Sequence, residues 1–147
     1  MGLITGGGGG SFPTLAAGKV SLTSGNLTTT SATFVDATGL TVTLTTGARR
    51  CLVTLSCTVS NNGAGAVSGL DIAVDGTRQG GSLGLVDINA SANFDQNGGI
   101  AFVTDVLSAA SHTIKVQFKS NGTQTVTVFA SATSPAVFAV VELPITS

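Results

Sequence analysis

The chain has 147 residues, of which 42% are apolar and only 9% are charged, with a formal net charge of −1. This length fits one domain whose two-layer core needs neither disulfides nor metals, and the apolar content argues against a disordered chain. The low charge argues against a basic surface for nucleic acid or an anionic membrane, and the absence of Trp and Tyr argues against a carbohydrate or single-strand site.

The chain begins with a predicted extended arm over residues 1–18. Residues 6–10 are all glycine, and such a run has no side chains to bury and is flexible when isolated. Leu3, Ile4 and Phe12 flank the run and are the candidate residues that anchor the arm to a larger assembly. The alternative left open is an arm that folds back on its own domain. No secretory signal, lipidation site or membrane helix is predicted.

Residues 19–147 are predicted to form one all-β domain. Short runs of alternating apolar and polar residues are separated by turn signals such as Asp75-Gly76 and Asn121-Gly122, and no long window has a helical period. Many short strands of this kind predict an antiparallel two-sheet sandwich or a barrel. The predicted strands are residues 20–22, 33–35, 40–45, 51–60, 70–74, 85–88, 100–106, 112–119, 126–128 and 137–143.

The two cysteines lie on the same face of one predicted strand, residues 51–60. Six residues of strand separate Cys51 from Cys57 by about 20 Å, whereas a disulfide requires Cα atoms within about 7 Å. They therefore cannot pair with each other and are predicted to be buried core thiols. A metal site would need more ligands than these two residues and the distant His112.

The remaining polar residues predict no chemistry. Ser111-His112 lacks the context of a hydrolytic site, so His112 is interpreted as a hydrogen-bonding residue at a strand end. Asp71 and Asp75 lie about 13 Å apart on one strand face, too far for one metal, and are expected to face solvent. Residues 95–98 lack the spaced carboxylates of a calcium loop and are interpreted as a polar loop. We therefore expect no enzymatic activity, cofactor, metal or small-molecule substrate.

The final predicted strand is apolar on both faces. A strand on the outside of a sandwich usually alternates, because one of its faces meets water. The other predicted strands leave no spare apolar layer, so we expect further copies of the chain to cover the second face. Glu142 is expected at the rim, where the strand exits. Phe138 and Val140 are assigned to the core, and the predicted trimer interface consists of Val137, Ala139, Val141 and Leu143.

Several motifs of the domain resemble a known family. They include L-T-V-T-L at residues 40–44, D-I-A-V-D-G at residues 71–76 and V-V-E-L at residues 140–143, and the most informative stretch is L-S-A-A-S-H-T-I-K-V-Q-F at residues 107–118. Over roughly residues 30–145 the chain resembles the trimeric jelly rolls of the tumour necrosis factor and complement type that occur in virion proteins of tailed bacteriophages. The resemblance implies a homotrimer with the last strand near the three-fold axis.

The leading functional hypothesis joins this resemblance to the arm and to the apolar last strand. It is a trimeric decoration or cement protein on the outer surface of a bacteriophage capsid, assembled in the host cytoplasm and anchored to the major capsid protein lattice by its arm. The alternative is a tail-fibre or receptor-binding head domain of the same fold. That domain would contact a host-surface glycan or protein through outer loops such as residues 95–99.

Overall fold

The computed structural model describes residues 14–63, 66–90 and 93–144. All regular secondary structure in these residues is β-strand. The strands, in chain order, are β1 (Ala17–Leu22), β2 (Leu27–Thr29), β3 (Val35–Thr45), β4 (Cys51–Asn61), β5 (Ala66–Val74), β6 (Thr77–Arg78), β7 (Val86–Ala90), β8 (Gln96–Val103), β9 (Ser111–Lys119), β10 (Val126–Phe129) and β11 (Ala136–Glu142).

The strands form two antiparallel sheets that face each other. Sheet A has the strand order β1-β11-β4-β8. The edge of β4 that pairs with β11 also pairs, farther along, with β10, and β2 pairs with the outer edge of β10. Sheet B has the order β3, β9, β5, and the far edge of β5 pairs with β7 and with β6. The principal strands divide into two layers of four, β1, β11, β4 and β8 against β3, β9, β5 and β7, which is the architecture of a jelly roll. The predicted antiparallel jelly-roll sandwich is confirmed.

The core lies between the two sheets and is built by strict alternation. In β4 every second side chain, from Cys51 to Val59, points inward and is buried, while the residues between them are half-buried or exposed. The predicted core positions Phe138 and Val140 on β11 are both fully buried. Other fully buried apolar side chains come from both layers: Val53, Val59, Val126 and Val128 in sheet A, and Leu40, Leu70, Ile72 and Ile114 in sheet B.

Both cysteines are buried and neither forms a disulfide, as the sequence predicts. The Cys57 thiol donates a hydrogen bond to the backbone oxygen of Gly98 at 3.1 Å. Burial raises the pKa of Cys57 to about 12, so the thiolate that would react with an electrophile is scarcely populated at neutral pH. The two thiols therefore act as small apolar core side chains.

On the outer face of sheet B, the position of Asp71 differs from the one expected from the sequence. Asp71 was expected to face solvent together with Asp75, but its side chain is completely buried because residues 79–85 fold back over the strand. Its carboxylate accepts hydrogen bonds from Arg78 Nε at 2.8 Å and from the backbone N–H of Gly80 at 2.9 Å. Alternation within one strand gives no information about a loop that later covers it.

Asp75 lies beyond the end of β5, in the turn that joins β5 to β6. Val74 pairs directly with Thr77, so the turn contains only Asp75 and Gly76, with φ angles of 49° and 83°. Positive φ at both positions is typical of the type I′ turn that Asp-Gly favours in hairpins. The tight turn expected from this dipeptide is confirmed, and it leaves Asp75 exposed.

Two adjacent glycines on β8 provide a test of which face of that strand meets the core. A Cβ on Gly98 would lie 2.8 Å from both Leu70 Cδ1 and Val59 Cγ2, whereas a Cβ on Gly99 would meet only Leu55 O at 3.8 Å. We expect Gly98→Ala to destabilise the fold by about 1–3 kcal/mol, because these neighbours are locked in the core. Gly99→Ala, the matched control, should stay within about 0.5 kcal/mol of wild type. Urea unfolding measures both, and equal stabilities would contradict this placement of β8.

Candidate self-association face

The outer face of sheet A carries an apolar row at the end where the arm enters the domain. The strand registers place Ala17, Val141, Leu52 and Val103 side by side on β1, β11, β4 and β8. We call these four residues the apolar row. Val141 is 41% exposed and Val103 is 45% exposed, although both are large apolar side chains. Exposed apolar residues that adjoin one another are the usual mark of an interaction surface.

The side chains on this face become smaller and more polar with distance from the arm end. The second row, in the same strand order, is Lys19, Ala139, Thr54 and Ala101, and the third is Ser21, Val137, Ser56 and Gly99. Lys19 is the single charged residue in the three rows. Small, uncharged side chains allow two surfaces to approach closely without burying an unpaired charge.

The predicted interface residues divide into two groups. Val137, Ala139 and Val141 do lie on the outer face of sheet A, on the side of β11 opposite the core residues. Leu143 lies beyond the end of β11, half-buried, with its N–H bonded to the backbone oxygen of Arg50 at 2.8 Å. The trimer contact itself stays a prediction. The arm residues Leu3, Ile4 and Phe12 lie outside the described residues.

Leu52 and Val103 belong to this face but were not among the residues selected from the sequence. Leu52 shares its strand face with threonines and serines, so it reads as an isolated apolar residue. Only the pairing of β4 with β11 and β8 brings Leu52 between Val141 and Val103. The sequence held one indication of this face. Phe102 and Val103 are adjacent at the end of β8, so one of these two apolar side chains must lie on the outer face.

An open polar cleft lies at the opposite end of the same face. It has a volume of about 500 Å³ and is lined by Ser56, Thr58, Asp95, Gln96, Asn97, Ser134, Pro135 and Val137. Phe94, just before Asp95, is 66% exposed. The predicted outer loop at residues 95–99 is wrong in part, because β8 begins at Gln96 and its first residues pair with β4. Gly98 permits this pairing, since its missing side chain leaves room for the core.

Glu142 does not lie at an exposed rim, which corrects the sequence expectation. It is 2% exposed, because the residues before β1 and the turn after β3 enclose the end of β11. Its two carboxylate oxygens accept hydrogen bonds from the backbone N–H groups of Ala16 at 3.0 Å and Gly47 at 2.5 Å, and Arg49 Nη1 lies 3.6 Å away. The partners that a buried carboxylate requires are therefore supplied within one copy of the chain.

These contacts make Glu142 the clamp that ties the base of the arm to the domain. Two hydrogen bonds join Ala16 to Glu142, because the backbone oxygen of Ala16 also accepts the backbone N–H of Glu142 at 2.8 Å. The bonds from Ala16 and Gly47, with a smaller contribution from Arg49, hold the pKa of Glu142 below its ordinary value. The charged form is therefore the one that holds the three segments together.

His112 takes hydrogen bonds that differ from the Ser111-His112 pair considered in the sequence. Its Nδ1 lies 2.6 Å from Asp75 Oδ2. Its Nε2 contacts both the backbone oxygen and the side-chain hydroxyl of Ser108. The described residues contain no group of three His, Cys, Asp or Glu side chains that could hold a metal ion. They also contain no helix long and apolar enough to cross a membrane.

Comparison with known proteins assigns no family to the chain. No family model matches the sequence, and no curated protein matches it. The chain is similar to a chain in the structure of the infectious bursal disease virus Gx strain, with a TM-score of 0.42 and 12% sequence identity over 90% of this chain. This chain spans 37% of the length of that viral chain. A likeness of this size assigns neither a family nor a function.

Glu142→Gln tests the clamp. The amide cannot replace the charge-assisted bonds to two backbone N–H groups, so we expect a loss of about 1–3 kcal/mol at neutral pH. Because the pKa of Glu142 is lowered on folding, its contribution is present above its ordinary pKa and is lost as pH falls through the lowered value. The gap between variant and wild type should therefore shrink in acid.

Denaturant unfolding at neutral and acidic pH measures this gap. Asp87→Asn, at an exposed carboxylate on β7, is the control and should match wild type at neutral pH. A variant Glu142→Gln as stable as wild type at neutral pH would contradict the clamp.

Proposed function

We propose that this chain is a structural protein of a bacteriophage virion, a homotrimer that decorates or cements the outer capsid surface through its N-terminal arm. The observation that carries the proposal is the exposed apolar row on a nearly uncharged outer face, at the end where the arm joins the domain. Its partners are two further copies of the chain and the major capsid protein lattice. The assignment to a phage and to three copies follows from the sequence resemblance.

Self-association is supported by the chemistry of the outer face. Val141 and Val103 each leave over two fifths of their surface in water, with Leu52 between them. Covering such residues gains about 25 cal/mol for each Å² of apolar surface removed from water. Lys19 lies on β1, the edge strand of the sheet, where its flexible side chain can reach solvent while the rest of the face is covered.

The position of the arm base is consistent with anchoring several arms to one surface. Ala16, held by Glu142, directly precedes the first residue of the apolar row. In a cyclic trimer, equivalent residues lie at the same height along the axis, so three arms would leave from one end. Three weak attachments to one lattice combine into a strong one, because the second and third bind at high effective concentration. This arrangement suits a protein that binds only where capsomers are assembled.

The alternative function is a tail-fibre or receptor-binding head domain. The polar cleft and the exposed Phe94 at the other end of sheet A favour it, since hydroxyl, amide and carboxylate groups near an aromatic ring suit a host-surface glycan. Binding of the isolated protein to host cells, with no binding to capsids, would support this alternative and would contradict the decoration role.

Val141→Asp tests the self-association face. A buried carboxylate without a partner costs about 3–5 kcal/mol, so the variant should be monomeric at concentrations where the wild type is trimeric. Thr41→Asp, on the exposed face of sheet B beside Lys115, is the matched control and should keep the wild-type mass. Light scattering measures the mass, and circular dichroism checks that both variants fold. A wild type that is monomeric, or a trimeric Val141→Asp variant, would contradict the proposal.

Deletion of residues 1–12 tests the arm. The truncated chain keeps Ala16 and the Glu142 clamp, so we expect a folded protein with its wild-type mass and at least a tenfold weaker binding to capsids, as lost avidity requires. Cosedimentation of the protein with capsids that lack it measures binding. Replacing residues 6–10 by a serine-rich stretch of equal length is the control, because it keeps the anchoring residues. Undiminished binding by the truncated protein would contradict anchoring by the arm.

A further inference from the structure

His112, the only histidine in the chain, lies between two groups that can only accept hydrogen bonds. Its Nδ1 is 2.6 Å from the carboxylate oxygen Oδ2 of Asp75, and its Nε2 is 3.0 Å from the backbone oxygen of Ser108. A neutral imidazole carries one N–H and can donate only one of these bonds, whereas the imidazolium donates both. The geometry of the site therefore fits the protonated ring.

The neutral ring has a second, weaker arrangement. If Nδ1 keeps its proton for Asp75, Nε2 presents a lone pair to the oxygen of Ser108, which is unfavourable at 3.0 Å. The Ser108 hydroxyl lies 3.3 Å from Nε2 and can turn its proton toward that lone pair. Deprotonation of His112 thus exchanges a bond from the ring to the Ser108 backbone for a longer bond from the Ser108 side chain.

The backbone oxygen of Ser108 accepts several hydrogen bonds that hold the loop of residues 104–110, which joins β8 to β9. It also accepts hydrogen bonds from Thr46 Oγ1 at 2.7 Å and from the N–H of Ala110 at 2.9 Å. The same loop is tied to the turn after β3, since Leu107 N–H donates to the oxygen of Arg49 at 2.9 Å. A change at this oxygen therefore reaches the loop and its contacts with the turn.

This loop continues directly from the apolar row. Val103 is the last residue of β8 and belongs to the row, and Val106 in the loop is 60% exposed. Arg50 reaches across to the loop, with Nη1 2.9 Å from the oxygen of Thr104. The loop therefore forms the border of the outer face of sheet A at the arm end.

We propose that His112, Asp75 and Ser108 form a pH-dependent latch that holds the loop of residues 104–110 against the domain when His112 is protonated. The latch thereby regulates how Val103 and Val106 are presented to a neighbouring copy, a consequence that rests on the self-association proposed above. It acts on one end of the sandwich and leaves the core unchanged.

Asp75 is the charged group that governs the ring. The bond that the ring donates to Asp75, and after it the bond that it donates to the backbone oxygen of Ser108, raise the pKa of His112, while burial opposes them. The neighbouring residues of β3, from Leu40 to Thr45, carry no charge, and the carboxylate of Asp105 in the loop is fully exposed and 3.5 Å from Arg50. Because the pKa is raised on folding, the stabilisation is complete below the ordinary histidine pKa and is lost as pH rises through the raised value.

The latch also has an acid limit, set by Asp75. Its carboxylate accepts the N–H of Thr113 at 2.8 Å as well as the bond from His112, and these bonds lower the pKa of Asp75. Its contribution is therefore present above the ordinary aspartate pKa and is lost as pH falls through the lowered value. The latch is closed across the range between these two limits.

An NMR titration of the His112 ring in the full-length protein tests the latch. We expect a midpoint above that of an unstructured histidine, with the amide signals of Thr46, Leu107 and Ala110 moving at the same midpoint. Asp75→Asn should lower the midpoint, because it removes the carboxylate. Ser108→Ala should raise it, because it removes the hydroxyl that serves the neutral ring and keeps the backbone oxygen. Asp87→Asn, the matched control, should leave it unchanged.

A midpoint that Asp75→Asn does not lower, or loop amides that do not follow the ring, would overturn the latch. Light scattering over the same pH range separates this result from the proposed function. If the wild type is trimeric, its dissociation constant should rise by a factor of several as pH passes the ring midpoint, and His112→Gln should abolish that change. A constant dissociation constant overturns the coupling, and a monomeric wild type overturns self-association while the ring titration still decides the latch.

Discussion

The pairing of β4 on both of its edges is the constraint on which the rest of the structure depends. Residues 52–59 pair with β8 on one side, and the other side is shared by β11 along residues 51–56 and β10 along residues 58–61. A central strand must satisfy its backbone donors and acceptors on both sides, so this register is strongly held. This register places Phe138 and Val140 in the core, and it also places Val141, Leu52 and Val103 side by side on the outer face of sheet A.

The sequence predicts those features that one strand displays by itself. Alternation located β4 and β9 to within a residue or so of their ends and separated the two faces of β11, because the side-chain period of a strand is two. It could not place Leu52 beside Val103, since lateral neighbours depend on register between strands that are distant in sequence. Whether Glu142 and Asp71 are buried depends on segments that fold over the strand from elsewhere, so both positions were misjudged.

The carboxylates that hold these segments share one role. Glu142 accepts the N–H groups of Ala16 and Gly47, Asp71 accepts that of Gly80, and Asp75 accepts that of Thr113. Each carboxylate thus supplies an acceptor to a backbone donor that lies outside a strand ladder or at its end. Loops leave such donors unpaired, and an unpaired buried donor costs about 1–3 kcal/mol. In a chain with 9% charged residues, several of the few charges serve to attach connecting segments to the sandwich.

Two attachments whose partners shift a pKa lie at the arm end of the sandwich. Glu142 weakens there in acid and His112 weakens there as pH rises, because the pKa of the first is lowered and that of the second is raised by their partners. Away from this end, bonds between neutral groups, such as Asn61 to Ser68 at 3.0 Å and Thr58 to Ser134 at 2.8 Å, occur together with the bonds from Gln117 and Lys115 that lower the pKa of Asp36. A rise in pH therefore acts on the arm end through His112, whereas a fall in pH acts both on Glu142 at this end and on Asp36 farther along the sandwich. The core between the sheets contains, in the described part of the chain, no titrating group except its two inert thiols, so the packing of the two layers does not depend on pH.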